Sequence, residues 1–257
     1  AYVQPLMSRY LTKLDEALQS MGFMCPFLLM TSGGGLTTLD TSIKFPVRLV
    51  ESGPAGGAIL ATEIAKECGI DNVLSFDMGG TTAKICLIDD YTPQMTRTFE
   101  VARVYRNLKG SGLPLRIPAI EMVEIGAGGG SIAKVDDMKR ISVGPESSGA
   151  SPGPACYGQG GLDATVTDAD VVLGRIDPKD FAGGAVKLAP EKADLVLQKA
   201  VGDQLSLDSS LSAFGVSEIV DENMANAARV HAIEWGKDIS ARSMIAFGGA
   251  APLHALR

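Results

Sequence analysis

An α/β fold is predicted for this chain by three features of its sequence. Short apolar segments of strand character alternate with segments whose apolar residues recur at helical spacing, the order that builds a sheet covered by helices. Glycines, thirty in all, cluster at junctions between those segments, at 33–35, 53–57, 79–80, 126–130, 158–161 and 248–249. Hydrophobic residues make up 46% of the 257 residues and charged ones 21%, enough for one large or two modest domains.

The elements follow in order. Met7, Leu11, Leu14, Leu18 and Met21 repeat at helical spacing and Gly22 supplies a stop, so an amphipathic helix comes first. Pro26–Met30 reads as a short buried strand running into a Thr-Ser-Gly-Gly-Gly loop. A small-residue helix starts at Ser52-Gly53-Pro54, with proline near its first position, and runs to about Lys66. Val73–Phe76 and Thr82–Ile88 read as buried strands joined by a tight turn at Asp77–Thr81. Further strands are expected at Thr96–Val104, Ile120–Ile125 and Ser131–Val135. The Gly-, Pro- and Ser-rich stretch Gly144–Gly161 is expected to be loop, since proline supplies neither helix nor ladder bonds. Helices resume at Asp168–Leu173, with Asp168 as N-cap, and at Pro190–Lys199. A long one covers about Ser217–Trp235, with Asp221, Glu222 and Asn223 near its start, there to complement the dipole or to contact a ligand. Met244–Phe247 is a last strand, and Gly248-Gly249 opens a last helix.

Composition excludes several classes. The net charge is −7 with Lys and Arg scattered singly, which gives no footprint for nucleic acid. Apolar runs of about five or six residues are too short to span a bilayer. Four cysteines without a CxxC pair, and only His231 and His254, argue against an ordinary zinc site and for buried free thiols in a cytoplasmic protein.

The strongest motif is Ser75-Phe76-Asp77-Met78-Gly79-Gly80-Thr81-Thr82-Ala83-Lys84. Gly79 and Gly80 can aim successive N–H groups at phosphate oxygens, and Thr81 and Thr82 add hydroxyl donors. Asp77 suits such a place if a divalent cation lies between it and the phosphates. An ordinary hairpin turn is the plain alternative. In Gly126-Ala127-Gly128-Gly129-Gly130-Ser131, a strand follows the glycines where a dinucleotide loop would have a helix, so backbone packing and ligand contact both remain open. Ala246-Phe247-Gly248-Gly249-Ala250-Ala251-Pro252-Leu253-His254 runs strand, Gly-Gly, helix. That order suits a flat ring against the backbone, or simply a tight turn. Cys156 is either a thiol nucleophile or a structural thiol, and His254 either a proton carrier or a packing histidine.

Asp77–Thr82 is similar to the second phosphate motif of the actin, sugar-kinase and heat-shock-chaperone superfamily, and Phe247-Gly248-Gly249 to its adenosine motif. Together with Ser52–Ala55, Gly126–Ala133, Gly144–Ser147, Pro152–Gly158 and Thr165–Ala169, the chain resembles the hydantoinase A/5-oxoprolinase family along nearly its whole length. The resemblance implies a ribonuclease-H-like, actin-like ATPase architecture, a mixed sheet flanked by helices, representing one half of the full nucleotide cleft. It implies a hydantoinase A-type domain over 1–257, truncated at both ends, with 1–72 and 237–257 packing as one subdomain beside 73–236. It implies ATP with Mg²⁺ or Mn²⁺, a cyclic-amide substrate such as a hydantoin or 5-oxoproline, and a B-type partner subunit or domain. The implied roles are Asp77 as catalytic and cation-holding, Gly79, Gly80, Thr81 and Thr82 on the phosphates, and Gly248 and Gly249 on the adenosine. A ketone carboxylase subunit, or a non-catalytic ATP-binding subunit that drives a partner, are the alternatives. Where many members carry Asp-x-His before the glycine run, this sequence has Glu121 and Val123, which puts a metal site there in doubt. The family's first phosphate motif is not among these residues, so this stretch alone is expected to be inactive.

Overall fold

A computed structural model describes residues 2–101 and 110–256. The chain divides into two compact units: Ala1–Val73 with Cys86–Met122, and Leu74–Ile85 with Val123–Arg257. This differs from the expected grouping. Residues 237–257 belong with the second unit because their strand joins the sheet beside Asn72–Met78, and 86–122 belong with the first.

The first unit opens on helix α1 (Gln4–Ser20), where Leu11 is the buried member of the predicted stripe. A hairpin follows, β1 (Leu28–Met30) and β2 (Leu36–Thr38), in the register Met30↔Leu36. The strand expected at Pro26–Met30 is therefore shorter than predicted and lies in a two-stranded ribbon, which leaves Leu28 exposed rather than buried. Helix α2 (Leu39–Lys44) is capped by the Thr38 side chain, and a 3₁₀ turn covers Pro46–Leu49. Helix α3 (Ser52–Cys68) ends at Gly69, in the left-handed conformation that glycine adopts freely. Its buried face of Ala55, Ala58, Ala61 and Ala65 lets it lie close against neighbouring backbone.

Strands β3 (Asn72–Met78) and β4 (Ala83–Asp89) have near-continuous buried runs, Val73–Phe76 and Ile85–Ile88, as strands covered on both faces require. Short strands follow: β5 (Thr92–Pro93), β6 (Met95–Thr96), β7 (Phe99–Val101), β8 (Leu113–Leu115), β9 (Ala119–Ile120) and β10 (Val123–Ile125). The expected strand Thr96–Val104 is thus split, and its residues 102–104 lie outside the described ones. The expected strand Ile120–Ile125 is divided between β9 and β10. The main sheet has the order β10-β4-β3-β13, with β5 also on β4; β13 is Ser243–Phe247.

In the second unit, β11 (Ser131–Val135) pairs with β12 (Ile141–Ser147). Residues 144–147, expected as loop, are strand, because Pro145 falls where the register shifts between Ser131 and Ala133 and the ladder resumes at Ser147. Helix α4 (Val166–Val172) is capped by Thr165, with Asp168 completing a capping box at its third position; Asp168 is not the N-cap. Helix α5 (Pro190–Leu197) passes through a π turn, Gln198–Gly202, into α6 (Asp203–Leu205). Helix α7 (Ser209–Glu234) starts eight residues earlier than expected, at an Asp208 cap that accepts from Leu211 N–H. Asp221, Glu222 and Asn223 therefore sit in mid-helix and do not serve its N-terminal dipole. Helix α8 (Ala251–His254) follows Gly248–Ala250. Cys156, Val171, Leu188 and Ala193 form one core cluster here. Of the four cysteines expected to be buried, Cys86 and Cys156 are, while Cys25 and Cys68 are exposed.

Candidate functional site

All the residues assigned to phosphate, cation and adenosine lie in the second unit, and two further turns converge on the turn at Asp77–Thr82. The Gly79 N–H donates to Thr82 O at 3.1 Å, closing the turn between β3 and β4. That corrects one expectation: Gly79 does not offer its amide to an anion. Among the described residues no acceptor takes the N–H of Gly80 or Thr81, and both residues are exposed. The unengaged amides therefore lie one residue further along than the predicted pair.

Beneath this turn lies the glycine run. Gly129 N–H donates to Gly79 O at 3.0 Å and Gly130 N–H to Gly80 O at 2.7 Å. A Cβ on Gly128 would stand 2.6 Å from Thr81 N, and one on Gly130 would stand 2.9 Å from Gly80 O. Side chains are excluded there by the Gly80–Thr81 backbone, so these buried glycines answer to packing. Gly129 O in turn accepts from Thr167 N–H at 2.7 Å and Thr167 Oγ1 at 2.8 Å, which ties the run to the start of α4.

The third turn closes from the β13 side. Ala250 N–H donates to Met78 O at 2.9 Å. Gly248 has φ +92°, and a Cβ on it would lie 2.6 Å from both Asp77 Oδ1 and Met78 O. Gly249 is different: its Cβ would meet nothing within 4 Å. Of the two predicted adenosine glycines, one is thus held against Asp77 and the other borders open space.

Asp77 is half-buried, and burial raises its carboxyl above the usual carboxylate range while the Lys84 charge pulls it back. One carboxylate beside free amides suits Mg²⁺ or Mn²⁺, which commonly takes one or two protein carboxylates and completes its shell with phosphate oxygens and water. Among the described residues no three His, Cys, Asp or Glu side chains come together as a metal cage, at Glu121 or elsewhere. Lys84, on β4, donates from its ammonium to Thr82 Oγ1 at 3.0 Å and Glu124 Oε1 at 3.0 Å. Neither this link nor Thr167 is legible in the sequence beyond membership of a motif block.

The two open residues are also placed. Cys156 is fully buried, and burial, with the Asp168 carboxylate, pushes its thiol well up, against thiolate formation. Its N–H donates to Asp168 Oδ1 at 2.8 Å, and Asp168 also accepts from Thr165 N–H and Thr165 Oγ1. This is a structural thiol beside a structural carboxylate. His254 is buried, its Nδ1 2.6 Å from Asp221 Oδ1 and its Nε2 3.2 Å from Asp170 Oδ2, with Arg175 also on Asp170 at 3.0 Å. It fastens α8 to α7 and α4, the part of a packing histidine.

The sequence profile described as hydantoinase/oxoprolinase matches residues 1–257, so the chain belongs to that family. It is 40% identical to an uncharacterized protein of Methanocaldococcus jannaschii over 99% of this chain and 38% of that one. It is 34% identical to the caprolactamase subunit alpha of Pseudomonas jessenii, over 100% of this chain and 36% of the relative. Among solved structures, acetone carboxylase in a nucleotide-free state, from work on ATP-dependent acetone carboxylation, aligns with a TM-score of 0.84 at 28% identity. The alignment covers 96% of this chain and 34% of that one. The chain therefore spans little more than a third of the length of these relatives. Among the described residues no helix is long and apolar enough to cross a membrane.

Proposed function

We propose that the Asp77–Thr82 turn binds the phosphates of ATP, and that the whole protein uses ATP to open a cyclic amide. The observation that carries this reading is the convergence of two glycine turns on one strand-to-strand turn whose Gly80 and Thr81 amides stay free. In an actin-like, ribonuclease-H-like cleft, of which this chain would form one half, Gly80, Thr81 and Thr82 donate to the phosphates. Asp77 would hold a divalent cation, Mg²⁺ or Mn²⁺, which would supply charge neutralisation beside the phosphates. Gly249, bordering open space, faces the adenosine, and Gly248 keeps that turn against Asp77.

The chemistry needs such a site because an amide carbon resists attack by water. Attack of the amide oxygen on the terminal phosphorus, with ADP leaving, converts the amide into a phosphorylated imidate. Water then adds to its carbon, and the ring nitrogen takes up a proton and leaves as an amine with the C–N bond broken. A second water cleaves the acyl phosphate that remains to carboxylate and phosphate. Phosphoryl transfer of this kind depends on positioning and charge neutralisation, which the turn supplies. The caprolactamase relative supports the lactam reading. The acetone carboxylase alignment favours a second one, in which the same phosphoryl transfer activates a ketone or bicarbonate for carboxylation. A B-type partner subunit and a cytoplasmic location accompany either reading.

The test is phosphate release by the whole protein with its partner, screened against caprolactam, hydantoin, 5-oxoproline, and acetone with bicarbonate. Stimulation by a cyclic amide supports hydrolysis; stimulation only by ketone with bicarbonate transfers the assignment to carboxylation. Asp77→Ala should lower release at least about a hundredfold with the fold retained. Unchanged turnover in that variant rules out the phosphate site.

A further inference from the structure

Lys84 is the cation beside the turn that the reading above leaves without a task. It sits on β4 two residues beyond Thr82, which precedes the strand in the turn. Glu124 is its register partner in the antiparallel β10–β4 ladder, and the two form a cross-strand pair at 3.0 Å. The lysine is mostly buried, with 15% of its side chain exposed, whereas half of Glu124 faces solvent. Lys84 is therefore fixed at its strand and tethered at its tip, and its ammonium stands 3.0 Å from Thr82 Oγ1.

The direction of that hydrogen bond is not free. An ammonium has three hydrogens to donate and no lone pair to accept with, while a hydroxyl has one hydrogen and two lone pairs. Thr82 Oγ1 must accept from Lys84, and its own hydrogen is left for another acceptor. We propose that Lys84, tethered by Glu124, is a positioning residue that turns the Thr82 hydroxyl into a committed donor toward the phosphate oxygens bound at the turn. This rests on the phosphate reading of Asp77–Thr82. A hydroxyl that already accepts a charge-assisted bond is polarised and becomes the better donor. A strand staple would do none of this, since a partly exposed ion pair adds little to stability.

The test is a double-mutant cycle in the whole protein with its partner, read as ATP affinity and phosphate release, with melting temperature recorded for each variant. Lys84→Met should weaken kcat/KM for ATP about tenfold or more, and Thr82→Val by a similar factor. Because Lys84 acts through the single bond from Thr82 to phosphate, adding Lys84→Met to Thr82→Val should cost less than about threefold further. Lys84→Arg, which can still donate to Oγ1, should recover most of the loss. Independent, multiplying effects of Lys84→Met and Thr82→Val, or Lys84→Met turnover close to wild type, would overturn the proposal. Should Lys84→Met fail to fold, Glu124→Gln in the wild-type and Thr82→Val backgrounds carries the same cycle, with a smaller loss expected in the first and none in the second; equal losses in both would overturn it. Asp77→Ala is assayed alongside. If that variant keeps its turnover, the phosphate reading itself fails; if it is dead while the cycle multiplies, only the role of Lys84 fails.

Discussion

Two glycine clusters of the second unit share a composition and differ in use. Gly79 and Gly80 have nothing within 4 Å of where a side chain would begin, whereas Gly128 and Gly130 would drive a Cβ into the Thr81 and Gly80 backbone. In the buried cluster the missing side chain is what lets the chain fit. In the exposed one the packing does not ask for glycine at all, so its presence points to something outside the chain that must come close. Gly248 and Gly249 repeat the contrast within a single turn, the first held against Asp77 and the second open.

The contrast can be broken most severely at Gly128. Gly128→Val should cost about 3 kcal/mol or more, because the obstructing atoms are backbone and cannot swing aside. Chemical denaturation measures it, and near-wild-type stability would show that the glycine run does not pack as described.

Next in size is the brace behind the Gly248–Gly249 turn. Burial works against the charged form of His254, but the hydrogen bonds and charges of Asp170 and Asp221 outweigh it and raise its pKa from an ordinary 6.5 to about 9. A group whose folded pKa is raised adds stability that is fully present below the unfolded value and lost as pH rises through the folded one. Stability should therefore fall by roughly 3 kcal/mol between about pH 6.5 and 9 on this account. His254→Gln should flatten that slope; an unchanged slope in denaturation curves would disconnect it from this histidine.

Smaller again is the effect expected at Gly249. With space around it and no positive φ, Gly249→Val should leave the melting temperature unchanged and raise the KM for ATP about tenfold, with less effect on kcat, the pattern of lost uniform binding. A destabilised variant with wild-type ATP affinity would place Gly249 with the packing glycines instead. The smallest effect is that of Gly80→Ala on folding, within about 0.5 kcal/mol, because its Cβ meets nothing. A loss several times larger, by the same denaturation measurement, would remove the distinction between the clusters.

Much of the architecture was legible because periodicity and punctuation are local. The stripe at Met7, Leu11, Leu14 and Leu18, the buried runs on either side of Asp77, and the Gly-Gly stop before Pro252 each lie within a dozen residues. Where reading failed, a distant partner had decided. Residues 144–147 are strand because β11 takes up the pairing again at Ser147, beyond the irregularity at Gly144 and Pro145. Asp221, expected near a helix start, lies in mid-helix because α7 begins at the Asp208 cap, and its carboxylate meets His254 thirty-three residues on.

The sequence by itself determined the family, the alternation of strands and helices, and the carboxylate, glycines and hydroxyls gathered at Asp77–Thr82, since each is a short run whose chemistry is written in adjacent residues. Only the tertiary structure decided which glycines are open and which are packed, that Gly79 closes its turn while Gly80 and Thr81 keep free amides, and that Lys84 and Glu124 meet at Thr82. The physical reason is that a glycine or an amide acquires its role from what lies within 3 to 4 Å of it, and those neighbours come from strands and turns forty to a hundred and seventy residues away.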